Sequence, residues 1–113
     1  MDDLIEKLSA YGGDMEGTLD RFVGDAALYE TCFATFLTDE AFPDLGAALD
    51  ASNYEKAFEY AHTLKGVTGN MGLTPLYRVI CQIVEDLRAR HVDHLQEHYA
   101  EVLRQLNFLK TLA

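Results

Sequence analysis

Apolar residues recur every three or four positions along most of this chain, the spacing that places them on one face of an α-helix. Capping residues and glycines divide the pattern into segments, and no stretch reads as a convincing strand, because the β-branched runs are short and fit helical periods better. The pattern predicts an all-α fold, an antiparallel four-helix bundle with short additional N-terminal helices. We expect residues 1–113 to form a single domain, since the length suits one core and no low-complexity linker interrupts it.

Helix boundaries are predicted from capping residues, glycines and prolines. Asp14, Asp25 and Thr74 are expected N-caps, because their side-chain oxygens can accept a backbone N–H of the first turn. The central helix is expected to begin at Ser52 or Asn53. The predicted helices span residues 2–10, 14–23, 25–38, 43–51, 53–71, 74–90 and 93–112.

The third predicted helix is rich in aromatic residues, so we expect it to face the bundle interior. Both cysteines, Cys32 and Cys81, lie in apolar-periodic segments without CxxC spacing. We therefore interpret them as small buried side chains, and a disulfide or reactive thiol has no specific support. The core-facing set expected on the third helix is Leu28, Tyr29, Cys32, Phe33, Phe36 and Leu37.

One histidine of the central helix points away from the predicted core. On a wheel of about 100° per residue, Lys65, Gly66 and Gly69 lie on the same side as His62. A helical glycine costs about 1 kcal/mol relative to alanine, so two glycines beside one imidazole indicate that something bulky approaches it. Phe58 shares this side and is expected to be an exposed apolar anchor for a partner. The stripe centred opposite His62 consists of Ala57, Tyr60, Leu64, Val67, Thr68 and Met71.

This arrangement predicts a nucleophilic histidine. An imidazole is a good nitrogen nucleophile near pH 7, and on a rigid helix it can attack a phosphoryl group carried by another protein. Lys65 is placed to offer positive charge to the phosphate on His62, and Gly66 gives clearance for the incoming donor. The ordinary alternatives are a surface histidine, a solvated Lys65 charge that can pair with Glu59 or another carboxylate, and close helix packing at the glycines.

The string Ala61-His62-Thr63-Leu64-Lys65-Gly66, followed by Asn70-Met71-Gly72, closely resembles the histidine-containing phosphotransfer (HPt) domains of two-component phosphorelays. That family's pattern is His-x-Leu-Lys-Gly with a second glycine ten residues after the histidine, a place that Gly72 fills. The resemblance covers most of residues 14–90. Val67 departs from it, since many members carry serine there, and Gln82 is a candidate for the glutamine that contacts the imidazole in some members.

The resemblance implies a phosphocarrier whose His62 is phosphorylated at Nε2. It implies transfer between receiver-domain aspartates, with the receiver supplying Mg²⁺ and most of the catalytic groups, and no cofactor bound by this chain. The expected partners are response-regulator receiver domains, a hybrid sensor histidine kinase, or both. No ATP-binding glycine-rich loop or kinase signature is present, so we expect no ATP-dependent kinase activity. Docking is expected around Phe58, Lys65, Gly66 and Gly69.

Charge narrows the choice of partners. The formal net charge of −10 argues against nucleic acid and against anionic membrane surfaces. No apolar run approaches the roughly 20 residues that span a bilayer, and the N-terminal residues lack the pattern of a secretory signal. We therefore expect a cytoplasmic protein, and a monomer because one chain provides a full core.

A second histidine cluster gives the alternative function. His94 and His98 are four residues apart, a spacing that can chelate a transition metal on a helix, and His91 lies nearby. This reading predicts a non-catalytic scaffolding or metal-binding helical bundle. A polar helix face that happens to hold histidines explains the same pattern, and no Glu follows His94 directly as in the metalloprotease motif.

Overall fold

The computed structural model describes residues 3–113, and within that range every regular element is an α-helix, which confirms the all-α prediction. Asp2, the expected first residue of the first helix, lies outside the described residues. The helices are α1 (Asp3–Tyr11), α2 (Met15–Arg21), α3 (Ala26–Phe36), α4 (Ala41–Asp50), α5 (Tyr54–Asn70), α6 (Thr74–Arg88) and α7 (Leu95–Lys110).

The last four helices form the bundle. Helix α5 packs between α4 and α6, α6 packs on α7, and α4 also touches α7, so the four helices enclose one core. Neighbours joined by short connections run antiparallel, as predicted. The short helices α1, α2 and α3 precede the bundle, and the described chain extends 44 × 23 × 21 Å. The antiparallel four-helix bundle with additional N-terminal helices is therefore confirmed.

Most of the predicted caps are present. Asp14, Asp25 and Asn53 each accept a hydrogen bond from the backbone N–H three residues later, at 3.0–3.2 Å. The prediction for Thr74 was wrong, because the N-cap of α6 is Leu73 and Thr74 is the first helical residue. Leu73 is fully buried, and its N–H donates to the Thr68 carbonyl near the end of α5. Because this connection is short, the N-cap of α6 lies one residue earlier than predicted.

Three expectations about core residues need correction. Leu28 is 45% exposed, because α3 buries only a narrow edge and leaves its other side open. Cys32 and Cys81 are free thiols as expected, but each is only partly buried. On α5, Tyr60 and Val67 are also only partly buried, whereas Ala61, which lies outside the predicted stripe, is fully buried.

Helix α5 ends in a Schellman motif at Gly72. The N–H of Leu73 bonds to the Thr68 carbonyl at 3.0 Å, and the N–H of Gly72 bonds to the Gly69 carbonyl at 3.1 Å. Gly72 has a φ of +71°, a conformation that costs a residue with a Cβ about 1–2 kcal/mol. The glycine that completes the motif around His62 is thus the residue that ends its helix.

Residues of the N-terminal segment satisfy the remaining carbonyls at this end. The Tyr29 hydroxyl donates to the Met71 carbonyl at 2.7 Å. The Arg21 guanidinium donates to the carbonyls of Gly69 and Asn70 at 3.2 and 3.0 Å. The N–H of Asp14 donates to the carbonyl of Gly72 at 2.9 Å. These bonds fix α1–α3 to the C-terminal end of α5, two turns beyond His62.

Replacing Gly72 with alanine should therefore destabilise the fold strongly. A Cβ at position 72 would overlap the Thr18 hydroxyl and lie 2.6 Å from the Asp14 carbonyl oxygen, in addition to the positive φ. We expect a loss of about 3 kcal/mol or more in the free energy of unfolding, measured by urea denaturation.

The matched control is Gly66→Ala, a helical position where an added Cβ meets nothing within 4 Å. Here alanine should raise the free energy of unfolding by about 0.5–1 kcal/mol, because it has the higher helix propensity. Equal effects of the two substitutions would contradict this account of α5.

Candidate functional site

His62 lies in the middle of α5 with its imidazole exposed to solvent. Within residues 3–113 the imidazole makes no hydrogen bond and no ion pair. Its recorded ring contact is with Phe58, one turn earlier, whose ring centroid lies 5.9 Å away at an interplanar angle of 26°. Both ring nitrogens are therefore available to a reaction partner, while the ring itself rests on an aromatic neighbour.

Phe58 is more buried and makes more contacts than the sequence indicated. The side chain is partly buried against the core, and the Arg88 guanidinium carbon of α6 lies 5.7 Å from its ring centroid. Arg88 is in turn paired with Glu85 at 2.5 Å. The expectation that this side chain is exposed was wrong, because Phe58 is flanked by the His62 imidazole and by Arg88. Its role as an anchor for a partner stays a prediction.

Lys65 is a partly buried cation that, among the described residues, has no ion pair. The alternative that it pairs with Glu59 is wrong, since Glu59 pairs with Lys56 at 3.3 Å. An uncompensated ammonium group one turn from His62 is notable on a chain with a formal net charge of −10. It leaves a positive charge beside the imidazole for an incoming anion.

A shallow depression surrounds these groups. It contains one cationic side chain and no carboxylate, so its electrostatics favour an anion. Gly66 opens this surface, because a Cβ there would meet nothing within 4 Å. The residues lining the depression are His62, Lys65, Gly66, Gly69, Asn70 and Tyr77.

Gly69 has a different structural role from Gly66. A Cβ at position 69 would lie 3.1 Å from the Tyr77 ring, so this glycine accommodates close packing of α6 on α5. The packing alternative, disfavoured from the helical wheel, is therefore right for Gly69 and wrong for Gly66. A helical wheel shows the faces of one helix and cannot show that a side chain of a neighbouring helix, here Tyr77 of α6, packs on one of them.

Tyr77 is the site residue that sequence reasoning missed. Three residues separate α5 from α6, so the first turn of α6 folds back on the last turns of α5, and the Tyr77 ring lies against Gly69. Gln82 was the residue considered instead. Its amide donates to Asp86 at 2.8 Å, and within the described chain it makes no hydrogen bond with His62.

The second histidine cluster has no geometry for metal binding. Within residues 3–113, no group of three or more His, Cys, Asp or Glu side chains is placed to hold a metal ion. His94 lies 3.3 Å from Glu97, and His98 lies 3.4 Å from Asp86, so each imidazole faces its own carboxylate. His94 also precedes α7, which begins at Leu95 rather than at the expected residue 93. The metal-binding alternative loses its structural basis.

The sequence profile of the Hpt domain matches residues 33–111, and the chain belongs to the Hpt domain family. Hpt domains perform histidine phosphotransfer in two-component systems and interact with receiver domains and histidine kinases. The curated proteins and the solved structures compared with this chain gave no match. No helix within residues 3–113 has the length and apolar character to cross a bilayer.

The ring contact between Phe58 and His62 predicts a measurable effect on the imidazole. Replacing Phe58 with leucine keeps an apolar side chain but removes the aromatic ring, so the NMR signals of the His62 ring protons should shift. The free energy of unfolding should fall by about 0.5–1.5 kcal/mol with the lost aromatic pair. The control is Phe108→Leu, which removes a ring stacked on Tyr11 in α1 and should leave the His62 signals in place. Unchanged His62 signals in Phe58→Leu would refute the contact.

Proposed function

We propose that this protein relays phosphoryl groups between receiver domains, with His62 as the phosphoacceptor. The observation that carries this proposal is the exposed imidazole of His62, which has no hydrogen-bond partner within residues 3–113 and lies one turn from an unpaired Lys65. A surface histidine without a reaction partner has no need of an unpaired lysine one turn away. A nucleophile that receives an anion uses both of them.

The proposed reaction is a displacement at phosphorus. The lone pair of His62 Nε2, the ring nitrogen farther from the backbone, attacks the phosphoryl group of a receiver aspartyl phosphate. The N–P bond forms as the P–O bond to the aspartate breaks, and the carboxylate leaves with the electron pair. Transfer to the next receiver runs the same step in reverse. The phosphoryl donor is the receiver's aspartyl phosphate, so this chain needs no ATP site of its own. The receiver would bring the Mg²⁺ and most of the catalytic groups.

Lys65 and Gly66 have complementary roles in this scheme. The Lys65 ammonium attracts the phosphoryl oxygens and stabilises the charge that His62 then carries. Gly66 leaves open space at the position where a longer side chain would meet the receiver. Because the depression holds no carboxylate, nothing within it repels the phosphoryl group.

Docking is proposed to extend from this depression along α5. Phe58 offers a partly exposed aromatic edge on one side of His62, and on the other side Gly69, with the Tyr77 ring packed on it, borders the depression. Gly66 also borders a groove towards α3, lined in part by Thr31 and Cys32. A receiver domain, or the receiver of a hybrid sensor histidine kinase, is the partner that this surface would accept.

His62→Ala should abolish phosphoryl acceptance and leave the melting temperature nearly unchanged, because the side chain is exposed. The assay incubates the protein with a panel of phosphorylated receiver domains and detects acid-labile label on this chain. The matched control is His91→Ala, another exposed histidine, which should accept label at the wild-type rate. Full labelling of His62→Ala would refute the assignment of the phosphoacceptor.

A large side chain at position 66 should obstruct the receiver without unfolding the protein. We expect Gly66→Leu to slow transfer at least tenfold, while its melting temperature stays at or above that of the wild type. Ala100→Leu adds the same side chain to an exposed helical position of α7 and should transfer normally. Wild-type transfer rates in Gly66→Leu would show that clearance at this glycine is not required.

A further inference from the structure

Tyr77 shares the depression of His62 but has no part in the reaction described above. It is the fourth residue of α6, and its ring lies against α5 where Gly69 leaves room. The ring atoms Cε1 and Cδ1 would lie 3.1 and 3.3 Å from a Cβ at position 69. The bare backbone at Gly69 therefore seats the tyrosine ring on the same helix that carries His62.

Tyr77 lies beside the phosphoacceptor, because it lines the same depression as Lys65 and His62. Its other neighbour is Cys81, one turn further along α6, whose thiol interacts with the Tyr77 hydroxyl. Helices α5 and α6 are antiparallel, so the direction from Tyr77 to Cys81 along α6 runs along α5 from Gly69 towards Lys65 and His62.

The hydroxyl is suited to donate to an anion. The hydrogen bond with Cys81 and its charge interaction raise the pKa of Tyr77, with a smaller contribution from burial, so the phenol keeps its proton in the neutral range. A thiol is a weak hydrogen-bond partner, so exchanging it for a phosphoryl oxygen is favourable. Tyr77 is only partly buried and lines the depression, which leaves the side chain accessible to a group bound there.

The phosphoryl group on His62 would need more donors than Lys65 alone supplies. A phosphoryl group carries up to two negative charges near neutral pH and presents three acceptor oxygens. Lys65 is the single cation of the depression, and the remaining lining side chains with a donor group are Asn70 and Tyr77. Of these two, Tyr77 has the longer side chain, and its ring is seated beside the candidate site by the open backbone of Gly69.

We propose that the Tyr77 hydroxyl is a second phosphoryl-binding group, which donates a hydrogen bond to the phosphate on His62 and prolongs the lifetime of the phosphohistidine. The proposal rests on His62 being the phosphoacceptor. It assigns the two sides of the bound phosphate to different helices, with Lys65 contributed by α5 and Tyr77 by α6.

The test is Tyr77→Phe, which removes one oxygen and keeps the ring over Gly69. The full chain is phosphorylated with phosphoramidate, a small donor that needs no receiver, and ³¹P NMR follows hydrolysis of the phosphohistidine at constant pH. We expect the phosphohistidine lifetime to shorten about threefold to tenfold, the effect of losing one hydrogen bond of ordinary net strength. The ³¹P chemical shift should also move, a change that a purely structural role of Tyr77 would not produce.

The control is Tyr60→Phe, which removes a tyrosine hydroxyl from α5 outside the depression and should match the wild type in both measurements. Wild-type lifetime and ³¹P shift in Tyr77→Phe, with normal labelling of His62, would overturn the Tyr77 inference alone. Wild-type protein that takes no label at His62 from phosphoramidate or from phosphorylated receivers would instead overturn the proposed function.

Discussion

The hydrogen bonds that satisfy the carbonyls at the C-terminal end of α5 are the constraint on which the rest of the structure depends. The last carbonyls of a helix have no partner within it, and here they accept hydrogen bonds from Arg21, Tyr29 and the N–H of Asp14. The positive charge of Arg21 also lies at the negative end of the helix dipole. Because α5 carries His62 and Lys65, the same bonds that attach α1–α3 fix the position of the candidate site.

The site is built from groups that contribute little to the stability of the fold. Gly66 occupies a helical position where alanine would fit without contact, and within residues 3–113 Lys65 has no ion pair and the His62 imidazole no hydrogen bond. A mid-helix glycine costs about 1 kcal/mol relative to alanine, and a native fold is stable by only about 5–15 kcal/mol. The surrounding helices compensate through a core that is well filled and through the closed end of α5.

Helical periodicity predicted what depends on one helix at a time. It predicted the helical bundle from the apolar spacing along the chain. It also predicted that His62 points outward and that Lys65 and Gly66 lie on the same face of α5, because these positions follow from spacing along one helix. It missed Tyr77, and it misjudged Gly69, because their contact joins two helices and depends on the register of the α5–α6 hairpin. Leu28 was misplaced for a related reason, since periodicity shows an apolar face but not whether a neighbour covers it.

The hydrogen-bond donors to the end of α5 come from the N-terminal segment, which affects where this domain can be truncated or fused to another. Asp14, Arg21 and Tyr29 all precede residues 33–111, the part of the chain that the Hpt profile matches. A fragment trimmed to the matched segment would keep all four bundle helices yet leave backbone carbonyls at the end of α5 without their donors. A fusion or chimaera that preserves the His62 helix therefore has its boundary before Asp14, so the structural unit is longer than the unit recognised by sequence.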